Sequence, residues 1–232
     1  MGSNRQVQEN STAILLFSQN AEDDYRQKSF GLNYQRFSQV HRTLVNKVRK
    51  TISRTGLPLL EADSQIQKGE DFASRLIHAI DWVKAQGYHK LIIVGNDSPG
   101  LTVQQLIEAE HAIDQGKPVL GKDIHGGAYL IGLDTEKLDV ALLNGIDWHS
   151  SRVFDQLMAA LCEVELLSEI QADLNGIGDL KRLNDIKSIL KSFLRLIRRL
   201  ILSPHSAEKE VQTLASAIFY TNNLHRGPPA LA

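Results

Sequence analysis

The stretch that decides the fold is KLIIVGNDSPGLT, residues 90–102. Its first half, residues 90–95, is apolar on both faces, which predicts an interior strand of a parallel sheet that helices cover on both sides. Asp97 follows that strand directly, and ligands of open parallel sheets bind at the carboxyl ends of the strands. A carboxylate there can hold Mg²⁺ or Mn²⁺ against a diphosphate. The competing interpretation is a plain turn whose side chains cap their own backbone.

Strands and helices alternate on both sides of this stretch. The apolar periodicity and turn residues predict strands at 12–17, 57–62, 119–121 and 127–133, and helices at 34–54, 70–86 and 101–115. Residues 18–33 are expected to form a polar loop. This alternation predicts an α/β protein, a three-layer α/β/α sandwich with a mostly parallel, mixed sheet.

Weaker patterns follow residue 133. They predict a helix at 151–161, a strand at 164–170 and helices at 180–202 and 206–220. We expect one domain over residues 12–183 and a C-terminal helical extension over residues 184–232.

Composition excludes several classes of protein. The 232 residues are 42% hydrophobic and 23% charged, with a net charge of −1, which is typical of a folded globule and not of a nucleic-acid binder. Cys162 is the only cysteine, so no disulfide can form within the chain. The polar N-terminus and the charges that interrupt every long apolar stretch predict a cytoplasmic protein without a membrane span.

A second segment, VLGKDIHGGAYLIGL at residues 119–133, places Gly126 and Gly127 before a strand. Taken in order, residues 90–102 and 119–133 resemble a bacterial family of proposed glycosyltransferases with the GT-A fold of nucleotide-diphospho-sugar transferases. The family pattern is Gly-Ser-Asp-x-Pro-x-Leu-Thr, and further along Gly-Pro-x-x-Asp-Gly-Gly-Tyr-Tyr-Leu-Ile-Gly-Leu. This chain resembles a divergent member.

The resemblance extends from about residue 12 to 183 and implies a set of site residues. Residues 69–87 look like the family's helix with Arg75 at its arginine position, and residues 173–180 look like the Asp-x-Asp-x-x-x-Asp-Leu element that closes the site. It implies a divalent cation, Mg²⁺ or Mn²⁺, and a nucleotide or nucleotide-sugar as the partner. The implied metal ligands are Asp97, Asp173 and Asn175, and the implied nucleotide-binding residues are Lys28, Arg75, Asn96, Gly126 and Gly127.

The chain departs from the family at two places. A basic Lys-Thr-Arg-Leu stretch is replaced by residues 22–28, which offer only Arg26 and Lys28 to a phosphate. The Asp before the paired glycines is His125, with Asp123 two residues upstream. His125 or Asp123 is the candidate general base, because imidazole titrates near neutral pH; the alternative is a solvated loop histidine.

The leading hypothesis is therefore a metal-dependent glycosyltransferase that uses a nucleotide-diphosphate-sugar. A nucleotidyltransferase acting on a sugar phosphate and a non-catalytic nucleotide-binding or regulatory protein remain open. The apolar stripe of residues 186–201 predicts a helix that packs on the domain or forms a homo-oligomer, and peripheral membrane contact is the alternative.

Overall fold

The computed structural model describes residues 11–171 and, beyond them, Arg195 and Arg199, which are both helical and exposed. Within these residues, six strands form one mixed sheet in the order β2-β1-β3-β5-β4-β6. The strands are β1 (Thr12–Phe17), β2 (Leu59–Ala62), β3 (Lys90–Val94), β4 (Val119–Lys122), β5 (Ala128–Asp134) and β6 (Glu165–Leu166). Only β5 runs antiparallel to its neighbours in this sheet, so the carboxyl ends of the other five strands share one edge.

Helices cover both faces of the sheet. They are α1 (Ala21–Gln27), α2 (Tyr34–Ser53), α3 (Phe72–Lys84), α4 (Val103–Asp114) and α5 (Val153–Ala160), with a 3-10 helix at Val140–Gly145. Helices α3 and α5 and the 3-10 helix share one apolar cluster with the sheet, and α2 and α4 share the other. The predicted three-layer α/β/α sandwich is confirmed.

Strand β3 shows why its sequence is apolar on both faces. Leu91 and Ile93 enter the cluster on the α3 side, and Ile92 enters the cluster on the α4 side. All three are fully buried. Burying such side chains contributes roughly 1.5–3 kcal/mol each, which holds the strand in the middle of the sheet and fixes the turn that follows it.

The turn after β3 is anchored at its far end by the start of α4. The Thr102 side chain accepts from the backbone N–H of Gln105 at 2.9 Å, and the Gln105 side chain accepts from the Thr102 N–H at 3.0 Å. This capping box satisfies two backbone donors that a helix start leaves open. Residues 95–101 are thus held between a buried strand and a capped helix.

The structure differs from the sequence prediction in three elements. The expected loop 18–33 contains α1, the expected strand 164–170 is only the two-residue β6, and the 3-10 helix was not predicted. A helix as short as α1 shows no apolar period; Asn20 caps it by accepting from the backbone N–H groups of Glu22 and Asp23, both at 3.0 Å.

Several predictions fall outside the described residues. They concern Asp173, Asn175, the end of the domain at 172–183 and, apart from Arg195 and Arg199, the extension at 184–232. Within the described part of the chain, no helix has the length and apolarity needed to cross a bilayer.

Candidate functional site

Asp97 lies where the sequence predicted it, in the turn at the carboxyl end of β3. It is buried rather than open to water, with 8% of its surface exposed, and its neighbours Asn96 and Ser98 are buried as well. The reason is a contact from α1: the Lys28 ammonium donates a hydrogen bond to Oδ2 of Asp97. Two predicted site residues, Lys28 and Asp97, are therefore brought into direct contact.

A second carboxylate shares the ammonium of Lys28. Oδ1 of Asp24, one helical turn earlier, lies 3.4 Å from Nζ of Lys28. Oδ2 of Asp24 in turn lies 3.8 Å from Nε2 of His41, which is 3.1 Å from the carbonyl oxygen of Gln19. The result is a buried cluster of Asp24, Lys28, His41 and Asp97, which we call the Lys28 cluster.

Burial and mutual charge set the protonation of the Lys28 cluster. Burial raises the pKa of Asp24 to about 7, against the attraction of Lys28, and the nearby charge of Asp97 raises it further. Burial alone would lower the pKa of Lys28, but the carboxylates of Asp97 and Asp24 outweigh it, so this pKa is raised. Burial lowers the pKa of His41. The ammonium thus stays charged at neutral pH.

Two buried polar atoms in the turn after β3 have no hydrogen-bond partner within the described residues. They are Oδ1 of Asp97, an acceptor, and Nδ2 of Asn96, a donor. Buried polar atoms in folded proteins are nearly always hydrogen-bonded. This acceptor and this donor are therefore candidates for contact with a ligand at the sheet edge.

An open cleft of about 280 Å³ lies past the carboxyl ends of β1 and β2, and some of its lining residues are sequence neighbours of Asp24 and Lys28. Arg75, a residue that the sequence assigned to nucleotide binding, lines it, and Nε of Arg75 is buried without a hydrogen-bond partner among the described residues. Seven of the eight lining residues carry polar or charged side chains, and the eighth is a glycine: Gln19, Asp23, Arg26, Gln27, Ser64, Gln67, Gly69 and Arg75. Such a cleft suits a hydroxyl-rich or anionic ligand.

Helix α1 contributes residues to both the Lys28 cluster and the cleft. Asp24 and the C-cap residue Lys28 face Asp97, whereas Asp23, Arg26 and Gln27 line the cleft. Sequence reasoning missed this helix, although an N-cap Asn followed by an acidic first turn is a helix-start signal.

The second motif forms a loop after β4, at the same edge. Asp123 is 1% exposed, and its Oδ1 accepts from the backbone N–H of His125 at 2.5 Å. Its Oδ2 is buried without a partner within the described residues. Because only β5 separates β3 from β4, this loop and the turn of Asp97 are two strand positions, roughly 10 Å, apart across the sheet.

Gly126 has a structural reason for being glycine. Its φ is +88°, and a Cβ there would lie 1.9 Å from the carbonyl oxygen of Ser151. The Gly126 carbonyl accepts from Phe154 N–H at 2.9 Å, and the Gly127 carbonyl accepts from Asp123 N–H at 3.0 Å. The sequence predicted that Gly126 allows a ligand to come close, but in the structure it is the backbone of Ser151 that lies close to Gly126. Binding of a ligand by Gly126 and Gly127 stays a prediction.

The described residues by themselves do not fit the divalent cation that the resemblance implies. Mg²⁺ takes six oxygen ligands, but Oδ2 of Asp97 is occupied by Lys28, and the other nearby carboxylate, Asp24, is bound to the same ammonium. Within residues 11–171, no group of three or more His, Cys, Asp or Glu side chains is placed to hold a metal. The metal assignment of Asp97, Asp173 and Asn175 stays a prediction.

Comparison with known proteins agrees with this fold. Residues 60–150 match the model of a bacterial family described as "uncharacterized protein conserved in bacteria (DUF2064)". A crystal structure of a "putative nucleotide-diphospho-sugar transferase" from Desulfovibrio desulfuricans G20 is similar with a TM-score of 0.66 and 19% identity, covering 89% of this chain and 97% of that one. No curated protein matches the sequence.

Two further solved structures are more distant. Rv0371c from Mycobacterium tuberculosis H37Rv aligns with a TM-score of 0.40 at 14% identity, over 76% of this chain and all of that one. A CMP:2-keto-3-deoxy-manno-octonic acid synthetase complexed with CTP aligns with a TM-score of 0.41 at 8% identity, over 76% and 98%. The resemblance carried by residues 90–102 and 119–133 is confirmed by the family model and the Desulfovibrio structure. The fold is the one seen in the Desulfovibrio structure, whose described function is that of a nucleotide-diphospho-sugar transferase.

Proposed function

We propose that this chain is a glycosyltransferase that binds a nucleotide-diphosphate-sugar at the carboxyl edge of its sheet. The observation that carries the proposal is the buried pair of Lys28 and Asp97 at the end of β3, beside which Oδ1 of Asp97 has no partner within the described residues. A cation and an open acceptor together match a ligand that carries phosphate oxygens next to hydroxyl groups.

In this proposal, the Lys28 cluster and the cleft bind different parts of the same nucleotide-sugar donor. An ammonium has three N–H donors. Asp97 and Asp24 take two of those of Lys28, which leaves one for a phosphate oxygen. Arg75 and the amides of the cleft take a polar part of the same donor, since helix α1 joins the two places.

The loop after β4 is the place for the acceptor and the general base. In the proposed reaction, an acceptor hydroxyl oxygen attacks the anomeric carbon while the bond from that carbon to the diphosphate oxygen breaks. The proton of the hydroxyl passes to Asp123 or His125. The buried Oδ2 of Asp123, which has no partner among the described residues, is an acceptor for that proton.

The test has a binding step and a reaction step. Thermal unfolding is measured with a panel of UDP-, GDP-, ADP- and dTDP-sugars, because a ligand at a hundredfold excess over its Kd adds about 2.7 kcal/mol to the native state. Stabilisation by at least one donor, with slow release of the nucleotide from it, supports the proposal.

A matched pair of variants ties the binding to the site. Asp97→Asn should lose the stabilisation by the donor, and Asp81→Asn, at an exposed position on α3, should keep it. Release of pyrophosphate from a nucleoside triphosphate would indicate a nucleotidyltransferase instead. Binding without any turnover would indicate a non-catalytic nucleotide-binding protein, and no binding to any donor would refute the nucleotide proposal.

A further inference from the structure

The family resemblance assigns a divalent cation to Asp97, Asp173 and Asn175, and the ammonium of Lys28 lies against the first of these. It bonds to the very carboxylate, Asp97, that the sequence assigned to the metal. We propose that Lys28 replaces the divalent cation in this chain, so that a nucleoside diphosphate binds without Mg²⁺ or Mn²⁺. This inference rests on the proposed function, and the experiment below separates the failure of the two.

The position of Lys28 is built into the fold. Lys28 is the C-cap of α1, and its backbone N–H donates to the Asp24 carbonyl at 2.9 Å. Its side chain is 17% exposed, against 11% for Asp97 and 12% for Asp24. The charge is therefore shielded from bulk water on two sides, yet its remaining exposure lets a ligand reach it.

The charges favour one cation, not two. Asp97 and Asp24 both lie against Lys28, and a divalent ion on Oδ1 of Asp97 would share one carboxylate with the ammonium on Oδ2. Two like charges on opposite oxygens of one buried carboxylate repel each other strongly, because screening is weak there. To admit the metal, the side chain of Lys28 would have to leave Asp97.

The open oxygen of Asp97 has another use in this arrangement. A carboxylate oxygen accepts hydrogen bonds, and the hydroxyl groups of a ribose or a sugar donate them. Nδ2 of Asn96, next in the chain, is a buried donor without a partner among the described residues and can serve a phosphate or hydroxyl oxygen. The turn after β3 then recognises a phosphate through Lys28 and an adjacent hydroxyl through Asp97.

Calorimetry of the full chain tests the inference with UDP, GDP, ADP, CDP and dTDP as probes. Each titration is run once in EDTA and once in MnCl₂. We expect the best probe to bind in EDTA with a Kd within threefold of its value in Mn²⁺. Binding that requires Mn²⁺ overturns the inference and leaves the proposed function standing. Absence of binding in both buffers overturns both.

Two variants test whether Lys28 is responsible for the binding without metal. Lys28→Met should weaken binding in EDTA at least tenfold, whereas Lys84→Met, which removes a half-buried lysine paired with the exposed Asp81 on α3, should leave it unchanged. Equal weakening by both variants, or by neither, refutes the role of Lys28. If Lys28→Met does not fold, the comparison of EDTA with Mn²⁺ on the unmodified chain decides the question alone.

Discussion

Lys28 and Asp97 are 69 residues apart in the chain, and their side chains form a largely buried ion pair. The pair joins the end of α1 to the turn after β3, so a helix that packs mainly against α2 is tied to the centre of the sheet edge. Removing either partner is expected to affect both the stability of the fold and the candidate site. Comparing the single variants with the double variant separates these two effects.

The first prediction concerns the stability of this pair. Lys28→Met should lower the free energy of unfolding by about 3–5 kcal/mol, because it leaves the buried charge of Asp97 uncompensated. Adding Asp97→Asn should recover part of that loss, since the second change removes the unpaired charge. Urea denaturation of the two single variants and the double variant measures the coupling. Strictly additive losses would show that the two side chains do not interact.

The second prediction is a pH dependence that originates in Asp24. Its pKa is about 7 in the folded protein and near 3.8 in the unfolded chain, so the folded state holds a proton that the unfolded state has lost between these values. The stability from this proton is complete below pH 3.8 and is lost as the pH rises through 7. The unfolding free energy of the unmodified protein should therefore fall, relative to Asp24→Asn, by up to about 1.4 kcal/mol per pH unit.

Neighbouring groups of Asp24 shape that curve. Lys28 and Asp97 are present in both proteins. Burial lowers the pKa of His41, so the contribution of His41 to the unfolding free energy is lost as the pH falls, opposite to that of Asp24. Because Asp24 contacts His41, the difference is measured in a His41→Gln background, where no imidazole titrates at that position in either protein. Urea denaturation at pH 5, 6, 7 and 8 gives this difference, and parallel curves would contradict a raised pKa at Asp24.

The third prediction concerns Gly126. Gly126→Ala places a methyl group against the Ser151 carbonyl and forces a positive φ, so the unfolding free energy should fall by at least about 1–3 kcal/mol. Gly145→Ala is the control, since a Cβ there meets nothing within 4 Å, and its effect should stay within about 1 kcal/mol. Both are read from thermal or urea unfolding. Similar stabilities for the two variants would be inconsistent with the close approach of Gly126 to Ser151.

The fourth prediction concerns the cleft. Arg75→Gln should weaken donor binding by about 10- to 100-fold, because a hydrogen bond from a charged group is worth about 1.5–3 kcal/mol. Its effect on stability should be small, since Nε of Arg75 makes no hydrogen bond within the described residues. Arg42→Gln removes the same charge from an exposed position on α2 and should bind normally. Unchanged affinity of Arg75→Gln would exclude the cleft from the binding site.

The fifth prediction concerns His125. Its backbone N–H donates to Oδ1 of Asp123, so His125→Asp keeps this hydrogen bond. Nucleotide release from the donor should rise or remain measurable in this variant. Complete loss of a robust wild-type activity would show that the imidazole itself is the base.

Local patterns in the sequence determined the sheet, the main helices and the turn that carries Asp97. Strand β3 is apolar on both faces because helices cover both faces, and this property is readable in five consecutive residues. The same holds for α2, whose apolar period predicted its bounds to within one residue. Asp97 was found because a residue that directly follows a parallel strand must lie at the carboxyl edge, whereas Asp123 was found only through the resemblance to the family motif around Gly126.

The tertiary structure alone decided what surrounds those residues. The sequence placed Lys28 in a loop and assigned it to phosphate, and only the packing of α1 shows that it is bound to Asp97. Only packing likewise shows that Gly126 is required by Ser151, a residue 25 positions along the chain. The physical reason is that periodicity and capping are set by neighbours in sequence, whereas burial, charge pairing and close backbone contacts are set by residues that only folding brings together.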